Sequence, residues 1–200
     1  MIFMGLDLSI NSSGICIYNA ENKKTIYYII GSKFTKKALS SSQIIVNLQS
    51  YDKKDIDKNS EYYIKENTKT HNIYNIVNEI EKLILKYKPN VISIEGVSFQ
   101  SSGSVVDLAG LNYMVRNIAM NNNINIFIAS PTQNKKFATG NGQAEKDVMI
   151  SAWKKADPKV LDIPSCIKID DLADAYFLAR YAEFVYNIKI DDYIDVLSDD

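Results

Sequence analysis

The first eighteen residues, Met1 to Tyr18 (MIFMGLDLSINSSGICIY), restrict the possible folds more than any other stretch. Ile2, Phe3 and Met4 begin an apolar run that reaches Leu6 and then meets a single carboxylate, Asp7. A turn-rich segment, Ser9 to Gly14, leads into a second β-type run, Ile15-Cys16-Ile17-Tyr18. This is the pattern of a hairpin whose first strand is buried on both faces. A carboxylate without a partner in such a strand costs several kcal/mol, so it needs a cation or a donor. Two readings are open for Asp7: a metal-binding group at the centre of a sheet, or a side chain that ends the strand and caps the turn.

Two hundred residues, 46% hydrophobic and 24% charged, suit a single globular domain with a real core. No apolar run has the length of a membrane span, and no basic lead-in precedes the first strand. The expectation is a cytoplasmic protein without a signal peptide or membrane contact. Cys16 and Cys166 are far apart and lack CxxC spacing, which argues against a zinc or disulfide scaffold. The net charge of −1 conceals five aspartates and no base in residues 191–200, so the rest of the chain is mildly basic. A basic body is compatible with nucleic-acid binding. Arg116 and Arg180 are the only arginines. Lysine offers phosphate a point charge, whereas arginine's fork suits base edges, so backbone and shape should dominate any DNA recognition.

Lys24 to Ile30 reads as a third strand closing an antiparallel meander. A polar interval follows from Gly31 to about Thr70, with Ser40 to Leu48 as a short strand or helix inside it; an interval this long is usually functional or partly disordered. His71 to Tyr87 carries Ile73, Ile76, Val77, Ile80, Leu83 and Ile84 at helical spacing and stops at Pro89. Val91 to Glu95 is a buried strand ending in a carboxylate, the β-unit of an α/β sheet. A helix starting near Ser104 and Asp107 comes next, then a strand at Asn125 to Ala129. A lysine-bearing helix begins at Ser130-Pro131 and breaks at Thr139-Gly140-Asn141-Gly142. Another helix begins near Ala144, and a last one, led by acids, covers Lys168 to Tyr186. The expected organisation is one domain over 1–200, with a polar insertion around 31–70 and an acidic tail over 187–200.

Three segments carry acids in comparable places. Asp7 lies in the first strand, Glu95 ends the strand after the first long helix, and Asp170, Asp171 and Asp174 open the last helix. Asp171 and Asp174, three apart, share a helix face. Strands joined by a helical crossover are commonly adjacent and parallel, which would set Glu95 beside Asp7. Carboxylates gathered in one place repel, and oxygen-only ligands select Mg²⁺ or Mn²⁺ over zinc. A pair of such ions suits attack of water on a phosphodiester. For Asp170 the simpler role, a partner of the helix dipole, is preferred.

With these residues in place, the chain resembles a RuvC-type Holliday junction resolvase of the ribonuclease H-like superfamily. The likeness rests on GLDLSINSSGICIY, ISIEGVSFQ, PTQNKKFATGNGQAEKDVM and DDLADAYFLA, in that order along the chain. It implies a five-stranded mixed sheet, an antiparallel meander plus parallel strands, flanked by helices. It also implies an endonuclease that resolves four-way DNA junctions by paired nicks, as a homodimer, leaving 5′-phosphate ends. Asp7, Glu95, Asp171 and Asp174 match the family's catalytic, metal-binding quartet, expected to hold two Mg²⁺ ions, with Mn²⁺ as a substitute. Lys135 and Lys146 match basic positions facing DNA phosphates, with Lys146 counted as catalytic. Lys136 and Gln133 beside Lys135, and Phe99 as a base-stacking ring, complete the expected DNA-binding set. The interval 31–70 and the acidic tail depart from the compact cellular enzymes and suggest a phage-type or divergent member.

Rival readings differ in testable ways. Asp7 to Gly14 also resembles the opening hairpin of sugar kinases and Hsp70-like ATPases, but those folds need a second such hairpin, which the sequence lacks. A catalytically silent junction-binding module would not need all four acids. A nuclease of broader selectivity, cutting forks or flaps, fits the same residues.

Overall fold

The computed structural model describes residues 1–32, 34–41, 44–48, 61–97, 105–164, 167 and 169–198. In chain order the strands are β1 (Ile2–Asp7), β2 (Ser12–Asn19), β3 (Lys24–Gly31), β4 (Ile45–Asn47), β5 (Val91–Glu95) and β6 (Asn125–Ala129). The helices are α1 (Lys36–Ser41), α2 (Tyr62–Tyr87), α3 (Val105–Asn121), α4 (Pro131–Thr139), α5 (Lys146–Ala156) and α6 (Asp170–Ser198), with a 3₁₀ turn at Pro158–Asp162. The strands form one sheet in the order β4-β3-β2-β1-β5-β6. β1, β2 and β3 are the antiparallel meander, and β4, β5 and β6 each join in parallel.

The expected sheet had five strands; the structure has six. The extra one is β4, three residues long and pairing only Ile45, Val46 and Asn47 with the far side of β3. So short an edge strand has too few residues to show a period of two. α2 begins at Tyr62, not His71, because its first turns (YYIKENTKT) follow Tyr62, Tyr63 and Ile64 with six polar residues and carry no continuous apolar stripe. His71 is therefore an exposed residue inside a helix, not at its start. The residues read as one polar insertion thus include α1, β4 and the start of α2. The last helix, expected to end near Tyr186, runs on to Ser198. No Gly or Pro interrupts residues 187–198, so nothing there breaks it. Cys166 and Ser104 lie outside the described residues.

Side chains alternate across the sheet and divide the core in two. Met4 and Leu6 of β1, Ile15 and Ile17 of β2, and Ile92 and Ile94 of β5 face α2 and α3, meeting Ile76, Ile80, Leu111 and Val115. Phe3, Cys16, Tyr27 and Val91 face the other way, toward α5 and α6, with Trp153, Leu172, Tyr176 and Ala179. The same alternation puts Gly5 and Asp7 of β1, and Ser93 and Glu95 of β5, on the α6 face.

α6 lies against that face at two glycines. A Cβ on Gly5 would come within 1.9 Å of the Ala175 carbonyl oxygen, and one on Gly14 within 2.1 Å of the Asp171 carbonyl oxygen. Any side chain there would hold the helix off the sheet. α5 is seated by a buried polar chain on the same face. Trp153 Nε1 donates to Tyr27 OH (3.0 Å), and Tyr27 OH donates to Asp157 Oδ2 (2.8 Å), which also accepts from Thr25 Oγ1.

Candidate active site

Asp7 closes β1 and faces Gly14 across the hairpin. β5 runs parallel to β1 with Leu6 beside Ile94, so Asp7 and Glu95 are each one residue beyond that last pair. Both end their strands on the α6 face. Because Gly14 lets the α6 backbone settle onto the strand next to Asp7, the first turn of α6 hangs over the same spot. Asp171 and Asp174 are carried there, and Ser12 Oγ in β2 donates to Asp171 Oδ2 at 2.8 Å.

Electrostatics report the same convergence. Burial first, then Glu95, Asp174, Asp171 and Asp170 in turn, push the Asp7 carboxyl well above the usual carboxylate range. Glu95 is pushed up to about 7, by burial and then by Asp174, with Lys135 pulling it down. Asp174 reaches about 6 through burial, restrained by Lys135 and raised further by Asp170 and Asp171. The four acids, spread over 167 positions from Asp7 to Asp174, thus form one interacting group. Among the described residues no three His, Cys, Asp or Glu side chains form a ready-made metal cage. The donor set nevertheless fits a hard cation: it is all oxygen, crowded and half-buried, with Asp7, Glu95 and Asp174 raised by burial first and by neighbouring acids second.

The lysines fall on one side of this group. Lys135 of α4 is half-buried and close enough to depress both Glu95 and Asp174. Lys146, the first residue of α5, is 77% exposed and pairs with Asp170 Oδ2 at 2.6 Å. Burial would raise Asp170, but the Lys146 hydrogen bond and charge outweigh it and bring the carboxyl below its usual range. Asp170 therefore has a side-chain partner in addition to its place at the helix start. Lys135 and Lys146 share an open hollow of about 520 Å³ with Gln143, Ala144, Glu145 and Asp147.

Lys136 is exposed on α4. Gln133 is exposed too, but its Oε1 accepts from Ser130 N (2.9 Å) while its own N–H donates to Ser130 Oγ (3.1 Å), a capping box that starts α4. Phe99 lies outside the described residues. Sequence reasoning missed Ser12, which gives no signal beyond being one of several serines in a turn. It also missed Asn112 and Asn134, although each is a polar residue at a core-facing position of its helix.

The family model described as "Crossover junction endodeoxyribonuclease RuvC" matches residues 45–180, which take in Glu95, Lys135, Lys146, Asp171 and Asp174. The chain belongs to the RuvC family. The RuvC of Ruminiclostridium cellulolyticum is 36% identical over 105 residues, 52% of this chain and 61% of that protein. The RuvC of Natranaerobius thermophilus is 25% identical over 190 residues, 94% of this chain and 98% of that one. The solved Thermus thermophilus RuvC has the same fold, with a TM-score of 0.60 at 14% identity over 94% of this chain and 97% of its own. RuvC nucleases as a family depend on a metal. Among the described residues of this member, no helix is long and apolar enough to cross a membrane.

Proposed function

We propose that this RuvC-family chain is a Mg²⁺-dependent endodeoxyribonuclease that resolves four-way DNA junctions by paired nicks, working on DNA in the cytoplasm in recombination and repair. The reading is supported by the names its relatives carry and by a Thermus thermophilus RuvC solved in complex with a Holliday junction substrate. The observation that carries it is the meeting of Asp7, Glu95, Asp171 and Asp174 at the ends of β1, β5 and the head of α6.

Those four carboxylates would hold two Mg²⁺ ions, with Mn²⁺ able to substitute. Bound there, the metal supplies activation of the attacking water and stabilisation of the leaving oxygen. The chain's own groups do the rest. Asp7 and Glu95, on rigid strand ends, set one wall of the site, and Asp171 and Asp174 set the other. Ser12 orients Asp171. Lys146 takes the scissile-strand phosphate by exchanging Asp170 for the DNA, where the N-terminus of α5 also favours an anion. Lys135 neutralises charge between Glu95, Asp174 and the backbone, and Lys136, Gln133 and Phe99 extend the DNA contact. One chain holds one such site, so two symmetric nicks require a homodimer.

Cleavage of a four-way junction, a fork and linear duplex, with and without Mg²⁺, tests the proposal. The junction should be cut with paired symmetry and only with metal. Asp7→Asn and Glu95→Gln should abolish cutting while junction binding is kept. Lys146→Ala should slow cutting and lower the salt slope of binding by about one. Equal cutting of all three substrates, or an active Asp7→Asn protein, would overturn it.

A further inference from the structure

Two asparagines near the carboxylate group are buried as deeply as the core. Asn112 of α3 is 1% exposed and Asn134 of α4 is 0% exposed. Each gives its side-chain amide to the main chain of a proposed metal ligand. Asn112 Nδ2 donates to the Glu95 carbonyl oxygen at 3.0 Å, and Asn134 Nδ2 donates to the Asp174 carbonyl oxygen at 3.3 Å. Turning either amide over would set oxygen against oxygen, so chemistry fixes which end faces the carbonyl.

The other end of each amide is wasted. Asn112 Oδ1 and Asn134 Oδ1 are buried and have no hydrogen-bond partner among the described residues. A buried acceptor without a donor is a net cost to folding, and a leucine of similar size would avoid it. The two amides also act where the backbone most needs holding. Glu95 is the last residue of β5, and among the described residues the one sheet bond past it is Gly96 N to the Ala129 carbonyl (2.8 Å). Asn134 is the neighbour of Lys135, so its bond ties the helix bearing that lysine to the helix bearing Asp174. The grips come from helices on different faces of the sheet, α3 from the α2 side and α4 from the α6 side.

We infer that Asn112 and Asn134 are positioning residues, holding the backbone at Glu95 and at Asp174 so that the two carboxylates can close on a shared divalent cation. The inference rests on the site reading proposed above. Carboxylates that repel one another drift apart unless their main chains are fixed, and ligation needs placement to within about half an ångström. Polar anchors on the backbone of ligands commonly set affinity by an order of magnitude or more.

Asn112→Leu and Asn134→Leu test it, with Mn²⁺ titrated calorimetrically into the DNA-free protein. Each variant should melt at or above the wild-type temperature without metal and bind the junction within twofold of wild type. Mn²⁺ affinity should fall at least fivefold, and the single-turnover cutting rate ten- to hundredfold with KM unchanged. If a collapsed melting transition shows that leucine is too bulky at either position, alanine there takes its place. Mn²⁺ affinity and rate within twofold of wild type, or a rate loss that tracks lost thermal stability alone, would overturn the inference and leave the nuclease reading standing. A wild-type protein that neither binds Mn²⁺ nor cuts would overturn both.

Discussion

Asp7, Glu95 and Asp174 are acids kept from ionising freely by their own surroundings. Glu95 ionises near pH 4.5 when exposed and near 7 in the fold; Asp174 moves from 3.8 to about 6. Between those limits the native chain holds protons that the unfolded chain has released. Stability therefore falls as pH rises through about 4.5 to 7 for Glu95 and about 3.8 to 6 for Asp174. Asp7→Asn removes a charge that all the other acids repel. In EDTA at pH 8 the variant should melt several degrees above wild type, at about 2–4 °C per kcal/mol for a chain of this size, and the gap should narrow at pH 5. Scanning calorimetry at both pH values checks this; equal melting at pH 8 would mean that the acids do not strain the fold. Lys146 makes a separate case, because its exposed pair with Asp170 contributes little to stability. Asp170→Asn should leave the melting temperature within a degree or two and strengthen junction binding at low salt, by freeing Lys146 for phosphate. Fluorescence anisotropy over a salt series would show it.

At the scale of elements, the site is a joint between a hairpin and a helix. Gly5 and Gly14 are the notches into which α6 fits, and a methyl group at either meets backbone, not a side chain that can swing aside. Gly5→Ala should destabilise the protein by about 1–3 kcal/mol, the usual range for an overfilled core. Gly14→Ala, beside Asp171, should in addition lift the head of α6 and lose most cutting activity; denaturant titration and the junction assay separate the two effects. These elements were largely legible beforehand. The β1–β2 hairpin, β3, β5, β6 and the helix starts at Ser130 and Asp170 all follow from clean periods of two or 3.6 and from caps. What stayed hidden lacked such a period: the polar opening turns of α2 and the continuation of α6, while β4 was legible only as a short strand or helix somewhere in Ser40 to Leu48. The carboxylates were legible one by one because each sits at the edge of an apolar run. The supports around them were not, since Ser12, Asn112, Asn134 and the Tyr27–Asp157 chain act across 17 to 159 positions that no local pattern connects.

For the whole molecule, the proposed cluster of acids would serve one strand, and a four-way junction presents two equivalent ones. The outer surface of α2 and α3 carries Tyr74, Val106, Tyr113, Met114 and Met120, from 40% to 84% exposed. Tyr113, Met114, Val77, Asn117 and Ile118 also line a shallow hollow of about 340 Å³. Exposed apolar side chains in such number, one of them stacked under Arg116, favour association over exposure to water. Tyr113→Lys combined with Met114→Lys should shift the sedimentation coefficient from dimer to monomer and turn paired cutting into isolated nicks. The folded chain should otherwise be undisturbed, because both positions lie outside the two cores. A wild type that sediments as a monomer while still making paired cuts would sink this account of the surface.

Because the notches at Gly5 and Gly14 are filled by α6, the proposed centre cannot form before α6 has been made. While the ribosome is still adding residues beyond Thr139, the emerging chain owns only Asp7 and Glu95 of the four acids. A product ending before α6 would lack Asp171 and Asp174, half of the proposed ligands.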